Sequence, residues 1–477
     1  MQNIISNITL IAFISMLGLA SCKSVSEMRQ NPMLTMPGQF SSATDTTAMN
    51  QMNWREFFED ESLVALIDTA LSNNLDLKIA LQRIEAARSE TLATKGALLP
   101  TVDAVGTTGI DKFGRYTMDG AGNRGTEMIN GKDVPVFLPD YSLGLVAGWE
   151  IDAWGKLRSR KKAAINRYLA SIEGRHFVQT NLIATVAGTY YELQALDAQT
   201  VFLEEAIALQ TNALEVVRAQ KEAGKATQLG IQQFEAQLLT LKGMQLELQQ
   251  QIFQQEAELN FLLGRYPQPI PRNVGLLDTD VPARIDPGIP SALLENRPDV
   301  RQAALELAAT KADLDAARAM FYPSVNISGI LGIQAFRPDL LITKPQSFTL
   351  SLLGGIAAPL VNKRAIQAAF DFADATQVEA LFNYQQVILN AYIEVNNQMA
   401  NIQNLRKMLD FKNEESGILL QSVSTSADLF RTGRANYLEI LAAQQNALDA
   451  RLELAELKKR LMQSTVEMYR SLGGGWR

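Results

Sequence analysis

Residues 73–106 read NNLDLKIALQRIEAARSETLATKGALLPTVDAVG, and residues 296–329 read NRPDVRQAALELAATKADLDAARAMFYPSVNISG. Set against each other at an offset of 223 residues, without a gap, they match at Asn73/Asn296, Asp76/Asp299, Ala80/Ala303, Ala86/Ala309, Ala93/Ala316, Pro100/Pro323, Val102/Val325 and Gly106/Gly329. Each copy is a helical stretch closed by a proline, which removes a helix donor and biases the residue before it toward extended backbone. An extended run follows. Further on, Tyr190-Tyr-Glu192 is like Tyr392-Ile-Glu394, and Glu222-Ala-Gly224-Lys-Ala is like Arg431-Thr-Gly433-Arg-Ala. The chain is therefore written twice: helix, strand, loop, strand, long helix, glycine turn, long helix, and the same again.

The long helices carry heptads. Leu182, Val186, Thr189, Leu193, Leu196, Thr200, Leu203, Ile207, Gln210, Leu214 and Val217 advance by alternating steps of four and three. Ile231, Phe234, Leu238, Leu241, Gln245, Leu248, Ile252, Gln255, Leu259 and Leu262 do so after Gly224. In the second half Tyr384, Ile388, Ala391, Val395, Gln398, Ile402, Leu405 and Leu409 precede Gly433, and Leu441 to Tyr469 repeat the pattern after it. This is a coiled-coil seam. Gly155 to Glu222 contains no proline; as one helix its roughly 68 residues would span about 100 Å. Such a helix must lie along a partner, and the antiparallel return after the glycine supplies one.

A second signal has period two. Leu143, Leu145, Ala147, Trp149 and Ile151 form one apolar face, Val325 to Ile333 a second, and Phe348 to Ile356 a third, with a weaker Gly- and Thr-rich run after Pro100. Strands of about 10 residues with this alternation suit a membrane-spanning barrel, whose smallest common form has about 8 strands. Four strands cannot close one, and open edges are not tolerated in lipid. A membrane reading therefore requires several chains to share one barrel. The polar loops 111–139 and 334–346 fit its outer end.

Composition narrows the function. The 477 residues include 44 Lys+Arg and 51 Asp+Glu, a net charge of −7, which disfavours nucleic acid as a partner. One Cys excludes an internal disulfide framework and a multi-Cys zinc site, and one His, His176, removes most metal and acid–base chemistry. His176 reads as an interhelical polar residue. Glu150 and Asp152 sit at a strand–helix junction, where an acid favours the helix dipole rather than catalysis. Gly473-Gly-Gly475 lacks the context of a phosphate loop and reads as a flexible end. No cofactor or metal is expected. Ile8–Ala20 is an apolar run of secretory-signal length, too short to span a membrane. Leu19-Ala20-Ser21-Cys22 follows as a lipobox, making Cys22 an acylated N-terminus and residues 1–21 its signal peptide. Residues 22–53, rich in Ser, Thr, Met and Pro, read as a tether. The two repeats are expected at 54–275 and 276–477.

From about Trp54 to Trp476 the chain resembles the outer-membrane factors, the TolC- and OprM-like channels of tripartite efflux pumps. The resemblance rests on Phe57-Phe-Glu-Asp-Glu-Ser-Leu63, Ala70-Leu-Ser-Asn-Asn-Leu-Asp-Leu77, Trp149-Glu-Ile-Asp-Ala-Trp-Gly-Lys-Leu-Arg158, Asn296-Arg-Pro-Asp-Val-Arg301, Ala317-Arg-Ala-Met-Phe-Tyr-Pro323 and Leu472-Gly-Gly-Gly-Trp476, in that order and behind a lipobox. It implies a mostly α fold with a small β part: long antiparallel coiled-coil helices, plus four strands per chain in a trimeric twelve-stranded outer-membrane barrel. It implies a lipid-anchored homotrimer that is not an enzyme. Such a trimer conducts substrate passively from an inner-membrane transporter, joined to it by a periplasmic adaptor.

The resemblance also implies a site. The turns at Gly224 and Gly433 would be the periplasmic tips, with Lys225, Thr227, Arg434 and Asn436 as adaptor contacts. A gate near the second tip would use Phe430, Leu438 and Glu439. The family commonly has Asp where this chain has Ala442, so one acidic ring is missing. The competing readings are a lipid-anchored coiled-coil adaptor or scaffold without a pore, which two hairpins and duplicated strands disfavour, and an enzyme, for which no nucleophile–base set is present.

Overall fold

The computed structural model describes Pro37, Phe40 and residues 53–477, apart from 129, 130, 132, 274, 279–287, 344 and 362. Cys22 and the signal segment lie outside the described residues. The elements run α1 (Trp54–Phe57), α2 (Glu61–Asn73), α3 (Leu75–Gly96), β1 (Thr101–Asp111), α4 (Met118–Arg124), β2 (Leu138–Ile151), α5 (Lys156–Glu222) and α6 (Gln228–Leu262). The second half continues with α7 (Leu293–Asn296), α8 (Pro298–Ala319), β3 (Ser324–Ala335), α9 (Pro338–Thr343), β4 (Phe348–Ala357), α10 (Arg364–Arg431) and α11 (Tyr437–Ser471).

The repeat holds to the residue. Helices α3 and α8 start and stop at the same offset of 223 (Leu75 to Pro298, Gly96 to Ala319), and β1 and β3 start together. Helices α6 and α11 are both 35 residues long, at an offset of 209 (Gln228 to Tyr437). The long helices α5 and α10 have 67 and 68 residues. Their ends also differ by 209 (Glu222 to Arg431), so Tyr190 is equivalent to Met399. The likeness of Tyr190-Tyr-Glu192 to Tyr392-Ile-Glu394 is thus one heptad out of register; a seam repeats every seven residues and cannot by itself tell one heptad from the next.

Every heptad position read from the sequence is buried or half-buried. The seam of α10 also continues beyond Leu409 through Lys412, Ser416, Leu419, Val423, Ser426 and Phe430 in the same steps. Serines hide this stretch from a hydrophobicity pattern. Helix α5 packs against α6 and α11, and α11 against α10, so the four long helices form a wall in the order α6–α5–α11–α10. Helix α8 packs on both long helices α5 and α10, whereas among the described residues its equivalent α3 packs on one long helix, α5.

The strands form one antiparallel sheet in sequence order. Trp149 pairs with Ile327 and Leu145 with Leu331, so the apolar faces of β2 and β3 coincide; Leu331 pairs with Leu350 and carries that face onto β4. Ser142, Gly144, Val146, Gly148 and Glu150 occupy the other face, with Asp103 beside Val146. Among the described residues the edges β1 and β4 have no second partner strand.

Below the sheet, the helix ends lock into the middle of the molecule. Tyr190 is fully buried and donates its hydroxyl to Asp60, the N-cap of α2, at 2.6 Å. Arg297 is buried and donates to Asp299, to Glu394 at 2.8 Å and to the Ser471 carbonyl at 2.7 Å; Arg470 also reaches Glu394. Phe40, within the stretch read as a tether, is 3% exposed and stacks on Tyr392 of α10.

The C-terminal end is not flexible. Gly473 to Gly475 are buried, Trp476 stacks on His176 at 4.7 Å, and its indole donates to the Asn296 carbonyl at 3.1 Å. Glycine is required by close approach. At Gly473 (φ 85°) an added Cβ would lie 2.4 Å from the Asn296 oxygen. At its equivalent Gly264 (φ 66°) it would lie 2.5 Å from the Asn73 oxygen. Both a left-handed backbone and a backbone clash oppose a side chain here. Gly473→Ala and Gly264→Ala should each destabilise the protein by about 2–4 kcal/mol, read as a lowered midpoint of thermal unfolding in detergent.

Candidate functional site at the helical tips

Each long helix ends in the same hydrogen-bonded turn. The Gly224 amide donates to Lys221 O at 2.9 Å and the Lys225 amide to Gln220 O at 2.8 Å. In the second hairpin Gly433 donates to Phe430 O at 3.0 Å and Arg434 to Leu429 O at 2.8 Å. This is a Schellman closure, which needs a left-handed residue. Gly224 and Gly433 supply it at φ 72° and 70°, with open space where a Cβ would stand.

The return helices start on side-chain caps. The Thr227 hydroxyl accepts from the Gly230 amide at 3.2 Å. Asn436 Oδ1 accepts from the amides of Leu438 at 2.9 Å and Glu439 at 3.1 Å, and its Nδ2 donates to Glu439 Oε1 at 3.3 Å. Glu439 therefore sits in the first turn of α11, where its charge complements the helix dipole. Lys225 and Arg434 are exposed at the two turns. Leu438 is 51% exposed and its equivalent Leu229 is 55% exposed, so each tip presents a solvent-facing leucine beside a cation.

Phe430 is half-buried as the last seam residue of α10. It packs with Tyr437 on a cluster of Leu214, Val217, Ile231, Phe234 and Ile440 that joins both hairpins. An open-sided cavity of about 480 Å³ lies beside it, lined by residues of all four long helices, among them Phe202, Phe234, Val423 and Ile440. The structure thus brings Phe430, Asn436 and Glu439 to one tip and Lys225 and Thr227 to the other.

Several links between the hairpins were not legible from the heptads. Tyr437 lies over Gly230, where an added Cβ would meet its ring at 3.5 Å. Gln237 donates to Gln445 at 2.5 Å. Arg451 pairs with Glu205 at 2.5 Å and lies 3.9 Å over the Phe202 ring. Higher up, Lys459 pairs with Glu192 at 2.9 Å and with Glu456 at 2.6 Å. Burial would push this ammonium down, but the hydrogen bonds it donates to Glu456 and Glu192 outweigh that and hold it above the ordinary lysine value. Only the glycine offset of Gly230 against Glu439 hinted at an asymmetric contact between the tips.

Among the described residues no group of His, Cys, Asp and Glu is arranged to hold a metal ion, and no helix is long and apolar enough to cross a membrane. Among the described residues the sheet presents a lipid-compatible surface, with Leu143, Leu145, Leu331, Leu350, Leu352 and Ile356 exposed on the shared apolar face.

A profile of the family described as outer membrane efflux protein matches residues 66–265 and 289–474. The chain belongs to that family. Its two matched segments fall on the two structural repeats. Among relatives, the cation efflux system protein CusC of Escherichia coli O6:H1 is 28% identical over 476 residues, covering 98% of each chain. The probable outer membrane lipoprotein SilC of Salmonella typhimurium is 26% identical over 464 residues, covering 96% of each. The solved structure of the outer-membrane channel OprN superposes with a TM-score of 0.83 at 24% identity, covering 95% of this chain and all of that one, and is similar in fold.

Asn436→Ala removes the acceptor of two first-turn amides and should cost about 1 kcal/mol. The expected sign is faster amide hydrogen exchange confined to the start of α11, with α6 unchanged.

Proposed function

We propose that this outer membrane efflux protein is the trimeric exit duct of a tripartite pump. It would conduct substrate passively from an inner-membrane transporter, through a periplasmic adaptor, to the exterior. The observation that carries this reading is the incompleteness of the single chain. Among the described residues both edges of the sheet lack partners, and so do the outer faces of α6 and α10. On α6, Leu239, Leu246 and Phe253 are 63–69% exposed at seven-residue spacing. On α10, Phe382 and Leu389, then Phe411 and Ile418, are exposed at the same spacing. These are second heptad rows with no helix to receive them. Helix α3 likewise lacks, among the described residues, the second long-helix neighbour that α8 has. Copies arranged around an axis would close all three gaps at once, α6 of one chain meeting α10 of the next and β1 meeting β4. Three copies give the twelve strands that the family resemblance implies.

At the tips, the exposed Lys225, Thr227, Arg434 and Asn436 are the proposed adaptor contacts, with Gly224 and Gly433 setting the turns that present them. The proposed gate is the second tip. Leu438 and Glu439 face solvent there, and Phe430 backs them from the seam between hairpins. In the trimer Glu439 would form a ring of three carboxylates, favouring cations over anions. Residues 1–21 would be removed as a signal peptide, and Cys22 would carry the acyl chains that anchor residues 22–53 to the outer membrane, a reading that the lipoprotein description of SilC supports.

Mass in detergent together with single-channel conductance in planar bilayers tests the duct. A trimer of small conductance that rises on Phe430→Ala or Glu439→Ala is expected; a monomer that never conducts would sink the reading. For the anchor, Cys22→Ser should abolish metabolic labelling with radioactive palmitate while the chain is still exported.

A further inference from the structure

The start of α5 is charged against its own dipole. Lys156, Arg158, Arg160, Lys161 and Lys162 place five cations in the first seven residues; the acid at this end is Asp152, ahead of the helix, whose carboxylate accepts from the amides of Leu157 at 2.9 Å and Arg158 at 3.0 Å and offsets only part of that charge. Cations at a helix N-terminus are unfavourable by a few tenths of a kcal/mol or more each, so helix stability does not explain them. Two are neutralised locally: Lys156 by Glu150, and Arg158 by Asp152 at 3.0 Å. Among the described residues none forms an ion pair with Lys161 or Lys162.

The sheet fixes which way these side chains face. Glu150 belongs to the polar face of β2, between the outward Trp149 and Ile151. Its ion pair with Lys156 places that lysine on the lumen side. At about 100° per residue, Arg160 and Arg167 follow Lys156 on the lumen side, where Arg167 pairs with Asp313. Arg158, Lys161 and Lys162 fall on the opposite side, the side of the apolar strand face. Arg158 and Lys162 are exposed there and Lys161 is half-exposed.

Immediately toward the strands on that level stands an aromatic pair. Trp154 and Tyr322 stack at 5.0 Å, are 52% and 51% exposed, and are pinned by the Trp154 indole donating to Pro323 O at 2.6 Å. Exposed, ordered aromatics at strand ends mark a headgroup level. The second repeat makes the same sequence of surfaces with different residues: Leu360 and Val361 are 83% and 87% exposed, and the exposed Lys363 and Arg364 follow. Lys95 and Arg318, equivalent at the 223 offset, add exposed cations at the ends of α3 and α8 that meet the strands.

We propose that this junction is a basic collar that binds the phosphates of anionic phospholipids in the leaflet bordering the periplasm, with Lys161, Lys162 and Lys363 as its free cations. The inference rests on the duct reading above, which sets the helices on the periplasmic side. Charge complementarity and continuity with the lipid-facing strands select a lipid headgroup as occupant. The collar would fix the depth and tilt of the barrel, holding the tips at a set distance from the membrane.

The test reconstitutes the full protein in phosphatidylcholine vesicles with and without about one quarter phosphatidylglycerol, and counts lipids retained on the trimer by native mass spectrometry. Wild type should retain phosphatidylglycerol in preference, and high salt should weaken the preference. The triple variant Lys161→Gln, Lys162→Gln, Lys363→Gln should lose the preference by roughly tenfold or more, while its conductance in neutral lipid stays at the wild-type value. Equal retention of both lipids by wild type, a salt-insensitive preference, or an unchanged preference in the triple variant would overturn the collar. So would equal displacement of the lipid by millimolar inorganic phosphate. Loss of conductance in neutral lipid by wild type itself would instead count against the duct. The salt dependence of wild type is read without any variant, so misfolding of the triple variant leaves the collar open to refutation.

Discussion

The seam between antiparallel helices is the interaction on which the molecule depends. A helix of 67 residues is about 100 Å long, and no compact core can bury one face of it. Only another long helix can, and the return after Gly224 or Gly433 provides it within the same chain. Each fully buried seam side chain, such as Leu193, Leu203, Phe234 or Leu405, contributes about 1.5–3 kcal/mol. The left-handed glycine is what lets the seam start: without the closure at Lys225 and Arg434, the chain would leave the helix at an angle that misses its partner.

A second constraint follows from the first. A wall of four helices and a sheet of four strands each have two edges, and the described residues leave all of them open. In water an open helical face costs apolar exposure; in lipid an open strand edge costs unpaired backbone groups. The exposed row Leu239, Leu246 and Phe253 and the free backbone of β1 and β4 are therefore the same statement made in two solvents. The transition between those solvents is concentrated in the few residues joining strand to helix. There the side-chain chemistry changes from apolar, through Trp154 and Tyr322, to cationic within one helical turn.

Much of the fold was legible in the sequence because repetition and periodicity are properties of a chain before it folds. The offset of 223 placed α3 and α8, and the heptads placed four long helices. What escaped had a physical reason in each case. Ser416 and Ser426 occupy seam positions of α10 without being apolar, so the pattern stopped at Leu409. Phe40 is a single aromatic in a polar stretch, and only a groove beside Tyr392 gives it a place. Gly473 to Gly475 read as loose because glycine is usually permissive, whereas here its lack of a side chain lets two backbones touch. At the tips, both glycine turns were legible from local backbone chemistry, and the structure adds that Thr227 and Asn436 cap the return helices. Their surroundings were not: Phe430 lies in a cluster built from both hairpins, which no local pattern specifies.

The sequence by itself determined the duplication, the element order, the heptad seams, the glycine turns and the need for partners. Each is encoded by residue types at fixed spacing and needs no knowledge of what lies opposite. The tertiary structure decided which heptad meets which, and so corrected the register of Tyr190 by seven residues. It also decided which strand faces coincide: Trp149 meets Ile327 and Leu331 meets Leu350, so one apolar face runs across β2, β3 and β4. Those outcomes depend on long-range pairing. The energy of a seam or a pleat is nearly the same in several registers, and specific contacts distinguish one: Arg297, Tyr190 and the C-terminal glycines in the middle of the molecule, and Gln237 with Gln445 nearer the tips.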